Sequence, residues 1–253
     1  MKLQDLDHWF RELLDPDALA SVDDSLNGIQ VGRSGGDISK VAFAVDASLE
    51  TIRRAAEAGA QVLFVHHGLF WGKPVRIEGF MRDRIKLLLD ADLALWACHL
   101  PLDRHPEVGN NAVLAGLLGL SDREAFGAYH GVKIGYRGSF PQPVSLEEVI
   151  ARILPDLSRP GCIIASGPAA LRTAAVVSGG AAFEVGQAIA EGIDLYVTGE
   201  PSHSVYGMVV ESRTTFLSAG HYATEVHGPK AVAALLSSQT ALGTVFIDVP
   251  TGL

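Results

Sequence analysis

Apolar residues follow two spacings along this chain, one typical of amphipathic helices and the other of buried strands. A series that begins with Leu3, Leu6 and Phe10 has steps of three and four, which predicts a helix ending before Asp15-Pro16. The apolar run from Lys40 to Asp46 predicts a buried strand. Further strands are predicted at 61–65, 93–97, 132–140, 162–165, 174–178, 195–198, 215–217 and 245–249. Helices are predicted between them at 48–57, 79–90, 110–118, 145–153 and 182–191, together with one that follows Pro201 and a long one that ends at Leu236. This order predicts an α/β fold with mostly parallel sheets covered by helices.

The character of the chain changes near residues 120–131, where we place a boundary between two regions. The first region covers residues 1–125, and the second begins at 126. No proline- or serine-rich linker marks the boundary.

Composition and charge exclude several classes of protein. The chain has 253 residues, 48% of them hydrophobic, which is the composition of a globular protein with a sizeable core. Its net charge of −9 disfavours a general nucleic-acid-binding surface. Two cysteines suggest a reducing compartment, and no apolar run reaches the roughly 18 residues of a membrane span. We therefore expect a cytoplasmic protein with no membrane partner.

Polar side chains that can bind metals follow three of the predicted strands. His66-His67 follows one strand, His99 and Asp103 follow the next, and His221 and Glu225 lie in the segment after a third. Ligands collect at the carboxyl ends of strands in open α/β sheets. The convergence of these side chains is the main functional signal in the sequence.

Each part of this set also has an ordinary structural interpretation. His66 and His67 fit two interpretations equally well. They are one buried and one solvated histidine, or both rings turn toward one pocket, for which Gly68 gives the chain room. His221 and Glu225 are four residues apart and share a helix face, which is commonly a solvated face.

Asp103, in a loop after a buried strand, resembles a turn residue when taken alone. Together, however, three histidines and two carboxylates come from three segments. That is about the number of ligands that two divalent ions need when they lie about 3.5–4 Å apart.

Two further groups give weaker signals. Glu200 and His203 follow a strand that ends at Thr198, so they are candidates for supporting a metal ligand or for acid–base work, but also for an ordinary helix start. Ser178-Gly179-Gly180 could cradle an anion, although it lacks the G-x-G-x-x-G spacing of dinucleotide sites.

Four ordered motifs are similar to those of the Nif-three-like family, whose bacterial members are commonly labelled GTP cyclohydrolase I type 2 homologues. The motifs are His66-His67-Gly68-Leu69-Phe70-Trp71, His99-Leu100-Pro101-Leu102-Asp103, Thr198-Gly199-Glu200 and Gly220-His221-Tyr222-Ala223-Thr224-Glu225. An N-terminal stretch, Ser25 to Gly32, also resembles that family. The match runs from about residue 25 to 228 and is to the compact members. His203 departs from the residue that many of these members carry.

The resemblance implies two interleaved α/β lobes, with residues from about 215 to 253 returning to the first lobe and 126–214 forming the second. It also implies a homohexameric toroid and a dinuclear site with His66, His67, Asp103, His221 and Glu225 as ligands. The ions would be Zn, Mn, Fe, Co or Ni, because imidazole and carboxylate suit all five.

Two hypotheses about function follow. The first is a metal-dependent hydrolase of a small nucleotide-like or heterocyclic substrate, with Glu200, His99 or His203 moving a proton. The alternative is a non-catalytic metal-binding adaptor or regulatory protein.

Overall fold

A computed structural model describes residues 1–154 and 160–253. The helices are α1 (Leu3–Leu14), α2 (Leu49–Glu57), α3 (Gly79–Asp90), α4 (Leu100–Arg104), α5 (Asn110–Leu118), α6 (Leu146–Ile153), α7 (Val185–Ala190), α8 (Tyr206–Val210), α9 (His221–Glu225) and α10 (His227–Gln239). The strands are β1 (Gly28–Val31), β2 (Lys40–Asp46), β3 (Val62–His67), β4 (Ala94–Ala97), β5 (Ser121–Tyr129), β6 (Val132–Val144), β7 (Cys162–Ile164), β8 (Leu171–Val176), β9 (Leu195–Thr198), β10 (Thr215–Ser218) and β11 (Gly243–Phe246). Two sheets covered by helices confirm the predicted α/β class.

The chain forms two compact units. The first contains residues 1–102 and 228–249, and the second contains residues 103–227 and 250–253. The first break therefore lies between Leu102 and Asp103, earlier than the predicted boundary near residue 125. The physical reason is that α5 packs against β6 and α6 of the second unit, so the helix that precedes the predicted boundary belongs to that unit.

The first unit is built on a five-stranded sheet with the order β1-β4-β3-β2-β11. The last four of these strands are parallel, and β1 is antiparallel to β4. Four aromatic rings, those of Phe10, Phe43, Phe64 and Trp96, pack against one another on this sheet and are almost fully buried. Polar groups at the strand ends are thus carried by a rigid scaffold.

The second unit is built on a six-stranded sheet with the order β5-β6-β8-β9-β10-β7. Only β8, β9 and β10 are parallel neighbours, and the remaining pairings are antiparallel, so this sheet is mixed. Its core includes Val149, Leu195 and Leu217, which have no exposed surface. The three parallel strands end at the same edge, which matters for the site described below.

Several local predictions need correction. Asp103 lies in the short helix α4 and not in a loop, because the chain turns into a helical segment two residues after β4 ends. His66 and His67 are the last residues of β3 and not the residues that follow it. β1 and β5 were not predicted, since Gly28 obscures the first and exposed polar residues dominate the second.

No helix within residues 1–154 and 160–253 combines the length and apolar character needed to cross a membrane. This agrees with the absence of a long apolar run in the sequence.

Phe64 tests the importance of the aromatic core. Phe64→Ala should lower the free energy of unfolding by about 3–5 kcal/mol, because it leaves a cavity among three other rings. Phe80 is 70% exposed in the same unit, so Phe80→Ala should cost less than about 1 kcal/mol. Urea denaturation of both variants measures the difference, and equal losses would contradict this assignment of the core.

Candidate metal-binding residues

In the first unit, three histidines gather at the carboxyl ends of two parallel strands. Val65 of β3 pairs with Ala97 of β4, so His66 and His67 end one strand beside the point where His99 follows the other. One ring nitrogen from each of the three histidines lies within 4.8 Å of one from each of the others. The structure therefore adds His99 to the predicted His66-His67 pair as a group that can hold a metal ion.

Each of these three rings is held at Nδ1 by a fixed acceptor. The Nδ1 of His66 donates to the backbone carbonyl of Cys98 (2.9 Å), that of His67 to Oδ1 of Asp46 (2.8 Å), and that of His99 to Oδ1 of Asp23 (2.9 Å). A ring that donates through Nδ1 offers Nε2 to an ion. Hydrogen bonds of this kind commonly orient histidines that bind metals.

Asp46 and Asp23 hold the rings of His67 and His99, and sequence reasoning missed both of them. Asp46 is the last residue of β2 and pairs with His67 across the parallel ladder, a relation that depends on strand register. Asp23 is buried, which by itself would raise its pKa. Hydrogen bonds and charge from His99, together with hydrogen bonds from Asn27 and Ser25, nevertheless hold the pKa of Asp23 below its usual value.

In the second unit, the parallel strands β8, β9 and β10 bring Ser178, Glu200 and His221 to one edge of the sheet. The Nδ1 of His221 donates to Oε1 of Glu200 (2.6 Å), and its Nε2 lies 3.1 Å from Oε2 of Glu225. Burial alone would lower the pKa of His221, but hydrogen bonds and charge from Glu225 and Glu200 raise this pKa to about 9.

Asp103 and the His221–Glu225 pair lie against two neighbouring residues of the second unit, Ser178 and Gly179 respectively. Oδ1 of the buried Asp103 accepts hydrogen bonds from Asn110 Nδ2 (2.9 Å) and from Ser178 Oγ (3.1 Å). The next residue, Gly179, has a φ of +66°, and a Cβ there would overlap Oε1 of Glu225. Ser178 therefore donates to the carboxylate of Asp103, and the absence of a side chain at Gly179 makes room for that of Glu225.

The two remaining candidates differ in their surroundings. Glu200 is bound to His221 at Nδ1, so it occupies the supporting position that the sequence allowed for it. His203 is exposed in the turn His203–Val205, and no contact of its ring joins it to the groups described above.

The donors of both units fit divalent metals. The first unit supplies imidazoles, and the second supplies one imidazole with carboxylates. Imidazole suits Zn, Fe, Ni and Cu, and carboxylate suits Mn and Mg as well. The anchored ring nitrogens and the buried carboxylates are therefore the kinds of ligand that divalent ions bind.

Comparison with known sequences identifies the family. A sequence model of the Duf34/NIF3 (NGG1p interacting factor 3) family matches residues 1–252. The chain belongs to this family. The resemblance seen in the sequence motifs is thereby confirmed.

Curated relatives carry one name. A protein of Pyrococcus horikoshii named GTP cyclohydrolase 1 type 2 homolog is 46% identical, over 91% of this chain and 92% of its own. A protein of the same name from Treponema pallidum is 37% identical over the whole of both chains.

Solved structures agree with the family assignment. The protein ybgI, described as of unknown function, has a TM-score of 0.90 and 34% identity over all of both chains. TTHA1606 from Thermus thermophilus has a TM-score of 0.88 and 38% identity, also over all of both chains. Reduced HcgD from Methanocaldococcus jannaschii has a TM-score of 0.84 and 27% identity over 98% of both chains.

Gly179 allows a direct test of how closely the second unit packs around its carboxylates. Gly179→Ala places a Cβ against Glu225 and imposes a left-handed backbone on alanine, so we expect a loss of about 1–3 kcal/mol of unfolding free energy. We also expect weaker binding of divalent metal. The two measurements are urea denaturation and calorimetric titration with metal.

Gly186 is the matched control, because it lies in α7 with no atom within 4 Å of its hypothetical Cβ. Gly186→Ala should stabilise the protein by about 0.5–1 kcal/mol and leave metal binding unchanged. Equal stability and equal metal affinity in the two variants would show that the close contact between Gly179 and Glu225 affects neither property.

Proposed function

We propose that this protein is a metal-dependent hydrolase that acts on a small nucleotide-like or heterocyclic substrate. The ligands in this proposal are His66, His67, Asp103, His221 and Glu225. They would hold two divalent ions, drawn from Zn, Mn, Fe, Co and Ni. Family membership supports this proposal, as do the names of the curated relatives.

The observation that carries the proposal is the anchoring of every predicted histidine ligand at Nδ1. His66 is held by a backbone carbonyl, His67 by Asp46 and His221 by Glu200. Any buried histidine needs an acceptor for its ring N–H, but pairing the same nitrogen, Nδ1, in all three rings gives each the defined tautomer and orientation that a metal ligand needs. Three rings with the same arrangement support a common role.

The chain contributes orientation, charge and proton transfer to this chemistry. When bound, divalent ions lower the pKa of water and polarise the bond under attack. Glu225 and Asp103 supply the negative charge that offsets two cations, and Glu225 has the longer stem with which to bridge them. His99, Glu200 and His203 are the candidates for moving a proton, and His99 could instead join His66 and His67 as a ligand. A protonated His221 must release its proton before Nε2 can bind an ion.

The experiment combines metal analysis with a substrate panel. Protein purified without chelator should contain close to two divalent ions per chain, and metal-loaded protein should hydrolyse at least one member of a panel of nucleotides, phosphoesters and heterocycles. Glu225→Gln keeps the size of the side chain but removes its charge, so both ions should bind more weakly. His67→Ala should weaken one ion more than the other.

The outcomes separate catalysis from metal binding alone. Two ions per chain with no turnover across the panel, and with metal needed only for thermal stability, would favour the adaptor hypothesis. Wild-type metal affinity in Glu225→Gln would contradict the bridging role. A metal content near zero after reconstitution would overturn the proposal as a whole.

We also propose, from family membership, that the chain assembles into a homohexamer and acts in the cytoplasm. Analytical ultracentrifugation should then show a species about six times heavier than the 26.8 kDa chain. A single monomeric species at micromolar concentrations would contradict the assembly. The net charge of −9 supports a small-molecule substrate over nucleic acid.

A further inference from the structure

The segment from Asp23 to Gln30 binds to the loop that follows β3 and to the loop that follows β4, next to the histidines of the first unit. We propose that Gln30, Asn27 and Asp23 are positioning residues, which hold the residues after His67 and the backbone and ring of His99 in place for metal binding. This inference rests on the proposed function. It assigns a role to the N-terminal motif, for which the sequence offers no chemistry of its own.

Gln30 fixes the residues that directly follow the His66-His67 pair. Its Oε1 accepts hydrogen bonds from the backbone N–H groups of Leu69 (2.6 Å) and Phe70 (3.3 Å), and its Nε2 donates to the carbonyl of Leu26 (2.8 Å). The N–H of Leu26 in turn donates to the carbonyl of Phe70 (3.0 Å). One half-buried amide therefore joins two segments about forty residues apart.

Gly68 shows how closely this amide approaches the loop. A Cβ at Gly68 would overlap the Oε1, Nε2 and Cδ atoms of Gln30. Gly68 does not have a positive φ, so its role here is to make space and not to supply an unusual backbone conformation. The glycine in the His66-His67-Gly68 motif is thus explained by Gln30, a residue in a different motif.

Asn27 and Asp23 hold the second loop. Oδ1 of Asn27 accepts from the backbone N–H of His99 (2.9 Å), and its Nδ2 donates to Oδ2 of Asp23 (2.9 Å). That Oδ2 also accepts from the N–H of Leu100 (3.0 Å), while Oδ1 accepts from the ring of His99. Backbone and ring of His99 are therefore fixed by one pair of neighbouring side chains.

These contacts bear on metal affinity because an ion requires its ligand atoms within narrow distances. Groups that orient metal ligands typically change affinity by 10–100-fold when they are removed. A purely structural role would instead lower stability without a specific loss of metal binding. The test must therefore separate affinity from stability.

The chain offers a matched control in Gln61. Its Oε1 accepts from the N–H groups of Ser39 (2.9 Å) and Lys40 (3.0 Å), and its Nε2 donates to the carbonyl of Gly59 (2.8 Å). It thus bridges backbone segments much as Gln30 does. Gln61 precedes the first residue of β3, however, whereas the histidines end that strand. The same substitution at Gln61 removes a comparable bridge at the end of β3 away from His66 and His67.

The experiment uses Gln30→Met and Gln61→Met in the full chain, with Co²⁺ alone as the probe. Methionine preserves the length of the side chain and removes its hydrogen bonds. We expect both variants to lose similar thermal stability. Only Gln30→Met should bind Co²⁺ about 10–100-fold more weakly and show a changed visible spectrum. Gln30→Glu keeps the acceptor for Leu69 and Phe70 but loses the donor to the Leu26 carbonyl, so its affinity should lie between those of Gln30→Met and wild type.

Asn27→Ser provides a second, independent variant should Gln30→Met fail to fold, and we expect it also to weaken Co²⁺ binding. Wild-type affinity and spectrum in the folded variants would overturn the positioning role while leaving the proposed function intact. Equal losses of affinity in Gln30→Met and Gln61→Met would overturn it as well, because the effect would then be general destabilisation. If the wild-type protein itself failed to bind Co²⁺ or any other divalent ion, the proposed function would fall, and this inference with it.

Discussion

The candidate metal-binding groups of each unit depend on one kind of interaction, the hydrogen bond that each histidine donates through Nδ1. His66 and His67 donate to the carbonyl of Cys98 and to Asp46, and His221 donates to Glu200. An imidazole without such an acceptor can rotate and exchange its proton between two nitrogens. A ring with a fixed acceptor presents Nε2 in one direction. The remainder of each unit serves to bring the acceptor and the ring together, and to exclude the rotamers that would separate them.

Parallel strand pairing is what brings these groups together. In the first unit, β2, β3 and β4 end side by side, so Asp46 pairs with His67 and His99 follows the neighbouring strand. In the second unit, the ends of β8, β9 and β10 supply Ser178, Glu200 and His221 in the same manner. Glycine at one position in each unit permits close approach, because a Cβ on Gly68 or Gly179 would overlap the side chain it faces. Both units thus place polar groups by the same rule for open α/β sheets.

The two donor sets differ in chemical character. The first unit presents three imidazoles, and the second presents His221 with the carboxylates Glu225 and Asp103. Imidazole-rich sites favour borderline metals, whereas carboxylates also accept harder ones. Negative charge next to His221 raises the pKa of that ring to about 9, so a proton would compete with any ion for its Nε2.

The sequence by itself determined the α/β class, most helices and strands, the family and the segments that carry the candidate ligands. Hydrophobic periodicity and short motifs are local signals, and local signals suffice for these features. Only the tertiary structure decided that Asp103 lies in a helix and that β1 and β5 are strands. It also decided that Asp23 and Asp46 accept hydrogen bonds from histidine rings and that Gln30 binds the residues after His67. The reason is distance along the chain. Asp23 and His99 are 76 residues apart and Gln30 and Leu69 are 39 apart, and contacts of that range arise from strand order and register, which leave no periodic trace in the sequence.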